Sequence, residues 1–235
     1  MEPRRKSIFL ARVAEHLDRF DDMVEHMTAA VKGRPQLTQE ERNLLSVAFK
    51  NAVSARRCAL ELVRRSRDVV QAKSDPQVAI YVREYMDQVR DELEHLCLAV
   101  LHLLDGSLIP AAPDSESLVF YVKMKADYHR HMAQFGQRGA YAREKARQSY
   151  GEAELLAMSL SVTHPVRLAL ALNYSIFLRE LMNDAAAARS KARSAFDGAL
   201  TELDRLDSEE DHYKDSTLIL QLLRDAAEPN LLFHA

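Results

Sequence analysis

Residues 38–62 read TQEERNLLSVAFKNAVSARRCALEL, and this stretch decides the fold. Its apolar side chains recur at steps of three and four residues, which is the spacing of one helix face. Thr38 followed three residues later by Glu41 is the pattern of a capping box, in which each side chain accepts a hydrogen bond from the other residue's main-chain N–H. The stretch therefore predicts a long α-helix that begins at residue 39 and runs to about residue 73.

Glycine and proline residues separate further segments that have the same helical spacing. Asp75 and Pro76 predict the start of the next helix, because Asp accepts main-chain hydrogen bonds and Pro tolerates the first helical position. We expect that helix to stop at Gly106. No segment alternates as a strand would. The predicted helices span residues 6–20, 22–32, 39–73, 76–105, 114–135, 140–161, 165–182, 185–206 and 211–226. The predicted fold class is all-α, with about nine helices and with sequential helices antiparallel because their connections are short.

Composition narrows the function classes. The chain has 235 residues, of which 47% are hydrophobic, enough for a substantial core. A net charge of −3 gives no overall attraction to nucleic acid or to an anionic membrane. No window is apolar over the length that a membrane-spanning helix needs. Two cysteines, Cys58 and Cys97, suit a reducing compartment and form no metal-binding pair. We therefore expect a cytoplasmic protein with no nucleic-acid or membrane partner.

Two predicted helices carry basic residues at matching positions. Lys50 and Arg57 are seven residues apart, or two helical turns, so both lie on one face of their helix. Lys123 and Arg130 repeat this separation. A phosphate dianion needs several donors from different elements, and Arg supplies them in a planar fork. Spacing alone fits equally well with ordinary solvated helix faces.

The helix over residues 168–178 is apolar nearly all round, which predicts a central position. Asn173 lies in its middle, and a buried amide needs hydrogen-bond partners. Two interpretations stay open: an Asn satisfied inside the helical bundle, or one that faces a ligand.

An enzyme is another possible class of protein, and the sequence gives it little support. Glu92 and His95 form one Glu-x-x-His pair, whereas di-iron helical bundles use that unit twice. No nucleophile triad, glycine-rich phosphate loop or His-Glu-x-x-His motif occurs in the sequence. We expect no catalytic activity, no metal and no cofactor.

Five segments together resemble one family, the 14-3-3 proteins, over nearly the whole chain. They are RFDDM at 19–23, RNLLSVAFKN with ARR at 42–51 and 55–57, FYVKMKADY at 120–128, HPVRLALALN at 164–173, and YKDSTLILQLLRD at 213–225. The resemblance implies a single domain over 1–235, a cup-shaped bundle of nine antiparallel helices with a concave groove. Residues from about 1 to 105 would form the dimerisation half and groove floor, and residues from about 114 to 230 the groove wall.

The resemblance also implies a function and a set of site residues. The groove would bind phosphoserine or phosphothreonine peptides of client proteins, with Lys50, Arg57 and Arg130 on the phosphate. Asn173 would hydrogen-bond the peptide main chain. The other positions that the resemblance places beside the peptide are Glu180, Lys125, Leu172, Ile219 and Leu222.

Several residues depart from the family pattern. His131 stands where the family has a tyrosine that completes the phosphate site, and Leu60 and Glu61 replace a Trp and an Arg. Ala226 stands where an Asn clamps the peptide main chain, so we expect Ala226→Asn to strengthen binding by about 1 kcal/mol.

Two hypotheses follow: a phosphopeptide adaptor with an altered clamp, or a dimeric helical scaffold that binds partners independently of phosphorylation.

Dimerisation is a further implication of the resemblance. The family joins its subunits through ion pairs, and Arg19 and Glu92 retain one of them. Asp22 is also kept, but Gln88 replaces its basic partner. The expected assembly is a homodimer, with a heterodimer with a related chain as the alternative.

Overall fold

The computed structural model describes residues 3–65, 75–136, 139–203 and 211–228. Within those ranges the chain forms nine α-helices and no strand, so the predicted all-α fold class is confirmed. The helices are α1 (Pro3–His16), α2 (Phe20–Gly33), α3 (Gln39–Arg65), α4 (Pro76–Leu103), α5 (Ser115–Phe135), α6 (Gly139–Leu156), α7 (Pro165–Glu180), α8 (Ala185–Leu203) and α9 (Asp211–Ala227).

Two helix starts form as their sequence signals predict. At α3, the Glu41 N–H donates to Thr38 Oγ1 at 3.2 Å and the Thr38 N–H donates to Glu41 Oε2 at 3.1 Å, which is the complete capping box. At α4, Asp75 Oδ1 accepts from the Gln77 N–H at 2.8 Å, and Pro76 occupies the first helical position. The predicted end of the third helix, residues 66–73, lies outside the described residues.

Predicted boundaries were wrong at three helices, one of which, α6, ends at Leu156 instead of residue 161. Helix α1 covers Pro3–His16 instead of residues 6–20, and Asp18 has a positive φ of 54° where the chain turns towards α2. Gly106 does not stop the fourth helix, because α4 ends at Leu103 and a π-helical turn then covers Leu104–Leu108. Leu104 and Leu108 are both fully buried, and their packing keeps the chain helical across the glycine.

The chain divides into two compact units. The N-terminal unit comprises Met1–Ala112 with His131–Ala142, and the C-terminal unit comprises Pro113–Arg130 with Arg143–Ala235. In the N-terminal unit α1 packs on α2, α2 on α3, and α3 on α4. Its fully buried side chains include Met23, Phe49 and Leu93.

Helices α7, α8 and α9 pack against one another in the C-terminal unit. Their contact is an apolar cluster, here called the C-terminal cluster, of Leu168, Ala192, Ala199, Leu220, Leu223 and Ala226. Half of its members are alanines, whose small side chains let helix backbones approach closely. Helix α7 is thereby fixed on one side, which positions the residues on its other faces.

None of the described helices is both long and apolar enough to cross a membrane. Among the same residues, no group of three or more His, Cys, Asp and Glu side chains is placed to hold a metal ion. Both cysteines are free: Cys58 is exposed and Cys97 is buried.

Candidate functional site

The C-terminal unit contains a buried polar cluster around Asp127, a residue of α5. Asp127 Oδ2 accepts a hydrogen bond from Lys123 Nζ at 3.0 Å, and Oδ1 accepts one from the Tyr150 hydroxyl at 2.6 Å. Asn173 Nδ2 donates to both carboxylate oxygens, at 2.9 Å each. Only 13% of the Asp127 side chain is exposed. Helices α5, α6 and α7 thus direct their polar side chains at one carboxylate.

The ionisation of Asp127 follows from opposing effects. Burial raises the pKa of Asp127, but the charges of Lys123 and Arg130 and the hydrogen bond from Tyr150 together hold it below its ordinary value. The same burial, with the nearby Asp127 charge, raises the pKa of Tyr150 well above its ordinary value. Asp127 is therefore a carboxylate that only accepts, and Tyr150 is a neutral phenol that donates. Because the folded-state pKa of Asp127 is depressed, its stabilising effect is present at neutral pH and is lost as the pH falls through that depressed pKa.

Arg130 is the second charged group buried in this unit. Arg130 is only 9% exposed. Burial lowers the pKa of its guanidinium, but Tyr150, Asp127 and Glu180 outweigh burial, so the pKa is raised above its ordinary value. The Nε atom of Arg130 is buried and meets no hydrogen-bond acceptor among the described residues. A buried cation is costly unless its charge is compensated, so a nearby anionic ligand would stabilise the Arg130 guanidinium.

The structure supplies the partner that Asn173 was expected to need. An ionised carboxylate cannot donate, so the amide must present its NH₂ group to Asp127. The carbonyl oxygen Oδ1 consequently points away from Asp127. The donor end of the amide is thus satisfied inside the bundle, and the interpretation that Asn173 faces a ligand stays a prediction.

The N-terminal unit holds Lys50, Arg57 and His131. Lys50 is exposed on α3, and Arg57, two turns later, is half-buried with its guanidinium carbon 5.1 Å from the centre of the Phe135 ring. This cation–π contact limits the movement of the guanidinium. His131 is half-buried. Arg57 is therefore held in place at one face of α3.

Glu61, one of the departures from the family pattern, lies one turn beyond Arg57 on α3. Its Oε1 accepts from Arg65 Nε at 2.7 Å, so part of its negative charge is directed to Arg65. This ion pair with Arg65 partly offsets the negative charge of Glu61, which occupies a position where the family has an arginine.

The side chains expected beside the peptide differ in exposure. Lys125 is half-buried and Glu180 is exposed, whereas Leu172 and Ile219 pack partly against the C-terminal cluster. Leu222 is 39% exposed. These positions remain predictions.

Ala226 is buried, with 3% exposure, as a member of the C-terminal cluster. Its carbonyl oxygen accepts a hydrogen bond from Arg179 Nη2 at 2.6 Å. Arg179 thus satisfies one of the carbonyls that the end of α9 leaves without a helical partner. The position expected to carry the clamp is therefore packed and bonded within the C-terminal unit.

Charged residues expected at a subunit interface find partners within the chain. Arg19 Nε donates to Asp22, three residues later. Glu92 Oε2 accepts from Arg56 Nε at 3.2 Å, and Arg56 also binds both carboxylate oxygens of Asp21. In the isolated chain these side chains are satisfied without a second subunit.

Sequence reasoning missed Asp127 and Tyr150 as site residues. Asp127 follows Lys123 by four residues and precedes Arg130 by three, so helical spacing could have placed all three on one face. Tyr150 is 23 residues from Asp127, on another helix, and no local pattern connects the two.

Comparison with known proteins finds one family. The family model described as "14-3-3 protein" matches residues 10–228. The 14-3-3-like protein GF14 omega of Arabidopsis thaliana is 44% identical over 228 residues, covering 94% of this chain and 87% of its own length. A 14-3-3-like protein of Oenothera elata subsp. hookeri is 43% identical over 228 residues, covering 95% and 87%. The 14-3-3 family protein artA of Aspergillus flavus is 43% identical over 222 residues, covering 93% and 92%.

Proposed function

Because this chain belongs to the 14-3-3 family, we propose that it is an adaptor that binds phosphoserine or phosphothreonine peptides of client proteins. The observation that supports this most is the buried guanidinium of Arg130, whose Nε meets no acceptor among the described residues. A phosphate dianion supplies acceptor oxygens and negative charge together. The proposal includes no catalytic activity and assigns a cytoplasmic location.

The proposed phosphate ligands are Lys50, Arg57, Arg130 and His131. Each hydrogen bond to a charged group contributes about 1.5–3 kcal/mol, so the phosphate should dominate the affinity. The proposed peptide contacts are Asn173 to the main chain and, flanking it, Lys125, Leu172, Glu180, Ile219 and Leu222. With Ala226 in place of the family Asn, one main-chain clamp is absent from this set.

A binding titration tests the adaptor function. We expect a phosphoserine peptide to bind at least about a hundredfold more tightly than the same peptide with serine, because two charge-assisted hydrogen bonds are worth about 3 kcal/mol or more. Fluorescence anisotropy with both peptides measures the ratio, and free phosphoserine should compete. Equal affinity for the two peptides would instead support a helical scaffold that binds partners independently of phosphorylation.

We also propose that the chain forms a homodimer through its N-terminal unit. Phe9 and Val13 of α1 and Leu17, the residue after α1, are 59%, 40% and 63% exposed and lie at intervals of four residues. Large apolar side chains in one row favour burial against another surface. The proposed interface also includes Arg19, Asp22 and Glu92, but exposed ion pairs add only about 0–1 kcal/mol each. The apolar row should therefore decide the assembly.

Sedimentation velocity at micromolar concentration tests the dimer. We expect the unmodified protein to sediment as a dimer and the double variant Phe9→Glu with Leu17→Glu as a monomer, because two charges would be buried unpaired. Leu155→Glu is the matched control, since Leu155 is 71% exposed but lies in the C-terminal unit, and it should stay dimeric. A monomeric unmodified protein would refute the homodimer, and a dimer restored by a related chain would identify a heterodimer.

A further inference from the structure

We infer that Asp127 is a positioning residue for peptide recognition, which fixes the amide of Asn173 so that Asn173 Oδ1 accepts a main-chain N–H of the bound peptide. The inference rests on the proposed phosphopeptide binding and adds to it the direction of one hydrogen bond. Asp127 need not touch the peptide, because it acts through Asn173.

The direction follows from the donors and acceptors available. Asn173 Nδ2 lies 2.9 Å from each oxygen of Asp127, so one of its hydrogens is shared between the two carboxylate oxygens. A rotated amide would place Oδ1 against a carboxylate that only accepts, and two acceptors would then face each other. Only the observed orientation is compatible with an ionised Asp127.

The carboxylate is itself held from two other sides. Lys123 Nζ and the Tyr150 hydroxyl bind one oxygen each, at 3.0 and 2.6 Å. The Tyr150 ring stacks on Tyr174, with centroids 5.1 Å apart and planes 7° from parallel, and Tyr174 is the residue after Asn173. Helix α6 thus fixes both the carboxylate and the neighbouring stretch of α7. The Asn173 amide has little freedom to rotate.

A fixed acceptor makes a chemical demand on the ligand. The peptide must offer a main-chain N–H to Asn173 Oδ1, so a peptide with proline or an N-methylated residue at the matching position should bind less tightly. An amide that could rotate would instead offer its NH₂ group to a carbonyl oxygen of such a peptide. Asp127 therefore contributes to selectivity as well as affinity.

A double-variant cycle with modified peptides tests the inference. Asp127→Asn is nearly isosteric and removes the demand for a donor, so Asn173 can rotate. We expect Asp127→Asn to weaken phosphopeptide binding about fivefold, the loss of one net hydrogen bond, and Asn173→Ala to weaken it similarly. The double variant should be no weaker than Asn173→Ala alone.

The peptide series reports the orientation directly. Phosphopeptides methylated singly at each main-chain nitrogen beside the phosphoserine are titrated against the unmodified protein and Asp127→Asn. One methylated peptide should lose about fivefold with the unmodified protein but should lose nothing further with Asp127→Asn. A merely structural role for Asp127 would instead add its penalty to every peptide equally.

Thermal melting shows whether the variants remain folded, and a second variant, Asp127→Glu, serves as a further control. This variant keeps the negative charge beside Lys123 and Arg130 but displaces the carboxylate by one methylene. It should also weaken binding, and the loss should disappear in the Asn173→Ala background. Additive penalties in the double variants, or a uniform loss across the peptide series, would overturn the inference while phosphopeptide preference stays intact. Equal binding of phosphorylated and plain peptides is a different pattern and would overturn the proposed function, and this inference with it.

Discussion

Arg57→Glu is expected to abolish phosphopeptide binding while the protein remains folded. The substitution removes a proposed phosphate donor, worth about 1.5–3 kcal/mol, and places a carboxylate where the phosphate dianion would lie. Repulsion adds to the lost attraction, so the dissociation constant should rise by about a hundredfold or more. Isothermal titration with a phosphoserine peptide measures the loss. Arg57 is half-buried and stabilised by its contact with the Phe135 ring, so a small decrease in thermal stability is expected as well.

The control for this experiment makes the same charge change elsewhere in the N-terminal unit. Arg34→Glu replaces an exposed arginine after α2, whose Nε donates a long hydrogen bond to Gln36 Oε1 at 3.4 Å. The Arg34→Glu protein has the same net charge as the Arg57→Glu protein, so any general effect of charge on peptide affinity appears in both variants. If Arg34→Glu weakens binding as much as Arg57→Glu, the phosphate is not recognised by Arg57. If Arg57→Glu retains full affinity, the proposed ligand set is wrong.

Local sequence signals predicted those helix starts that depend on neighbouring residues. The capping box of Thr38 and Glu41 and the cap of Asp75 formed because their hydrogen bonds join residues two or three positions apart. Gly106 failed as a stop signal because burial of Leu104 and Leu108, a tertiary effect, outweighs the local preference of glycine. Local rules therefore predicted starts better than ends.

The candidate site shows a similar division. The apolar character of residues 168–178 indicated that Asn173 is central and needs a partner, but it could not identify that partner. The partner is Asp127, 46 residues earlier, and its carboxylate is held by Tyr150 on a third helix. Such pairings depend on how helices pack, which a pattern within one helix does not contain. The interpretation of Lys123 as half of a basic face also lacked its partner, since Lys123 is bonded to Asp127 four residues later.

Ala226 gives the clearest revision of a sequence-based expectation. Its position in the family suggested that an Asn there would reach the peptide, so that Ala226→Asn would strengthen binding. The structure places Ala226 in the C-terminal cluster with 3% exposure, against Leu220 and Leu223 of its own helix and residues of α7 and α8. An Asn side chain is larger than the buried alanine it would replace, and it brings an amide into an apolar cluster.

We therefore expect Ala226→Asn to lower the thermal midpoint and to leave phosphopeptide affinity unchanged or reduced. An unsatisfied buried polar group costs about 1–3 kcal/mol, and overpacking a core costs a similar amount. The lower helix propensity of Asn adds up to about 0.7 kcal/mol. Differential scanning calorimetry of the unmodified protein and the variant measures the shift. Titration with the phosphoserine peptide, at a temperature where both remain folded, measures the affinity.

Ala227→Asn is the matched control for this prediction, because it makes the same change at the next residue of α9. Ala227 is only partly buried beside the C-terminal cluster, so it carries the same propensity cost but a smaller cost of burial. Ala226→Asn should be the less stable of the two variants. The opposite pattern, a stable Ala226→Asn protein that binds the phosphopeptide about fivefold more tightly, would mean that the new amide reaches the peptide. In that case the loss of the family Asn would be a change in recognition at α9, and Arg179, which bonds the Ala226 carbonyl, would be expected to leave that contact.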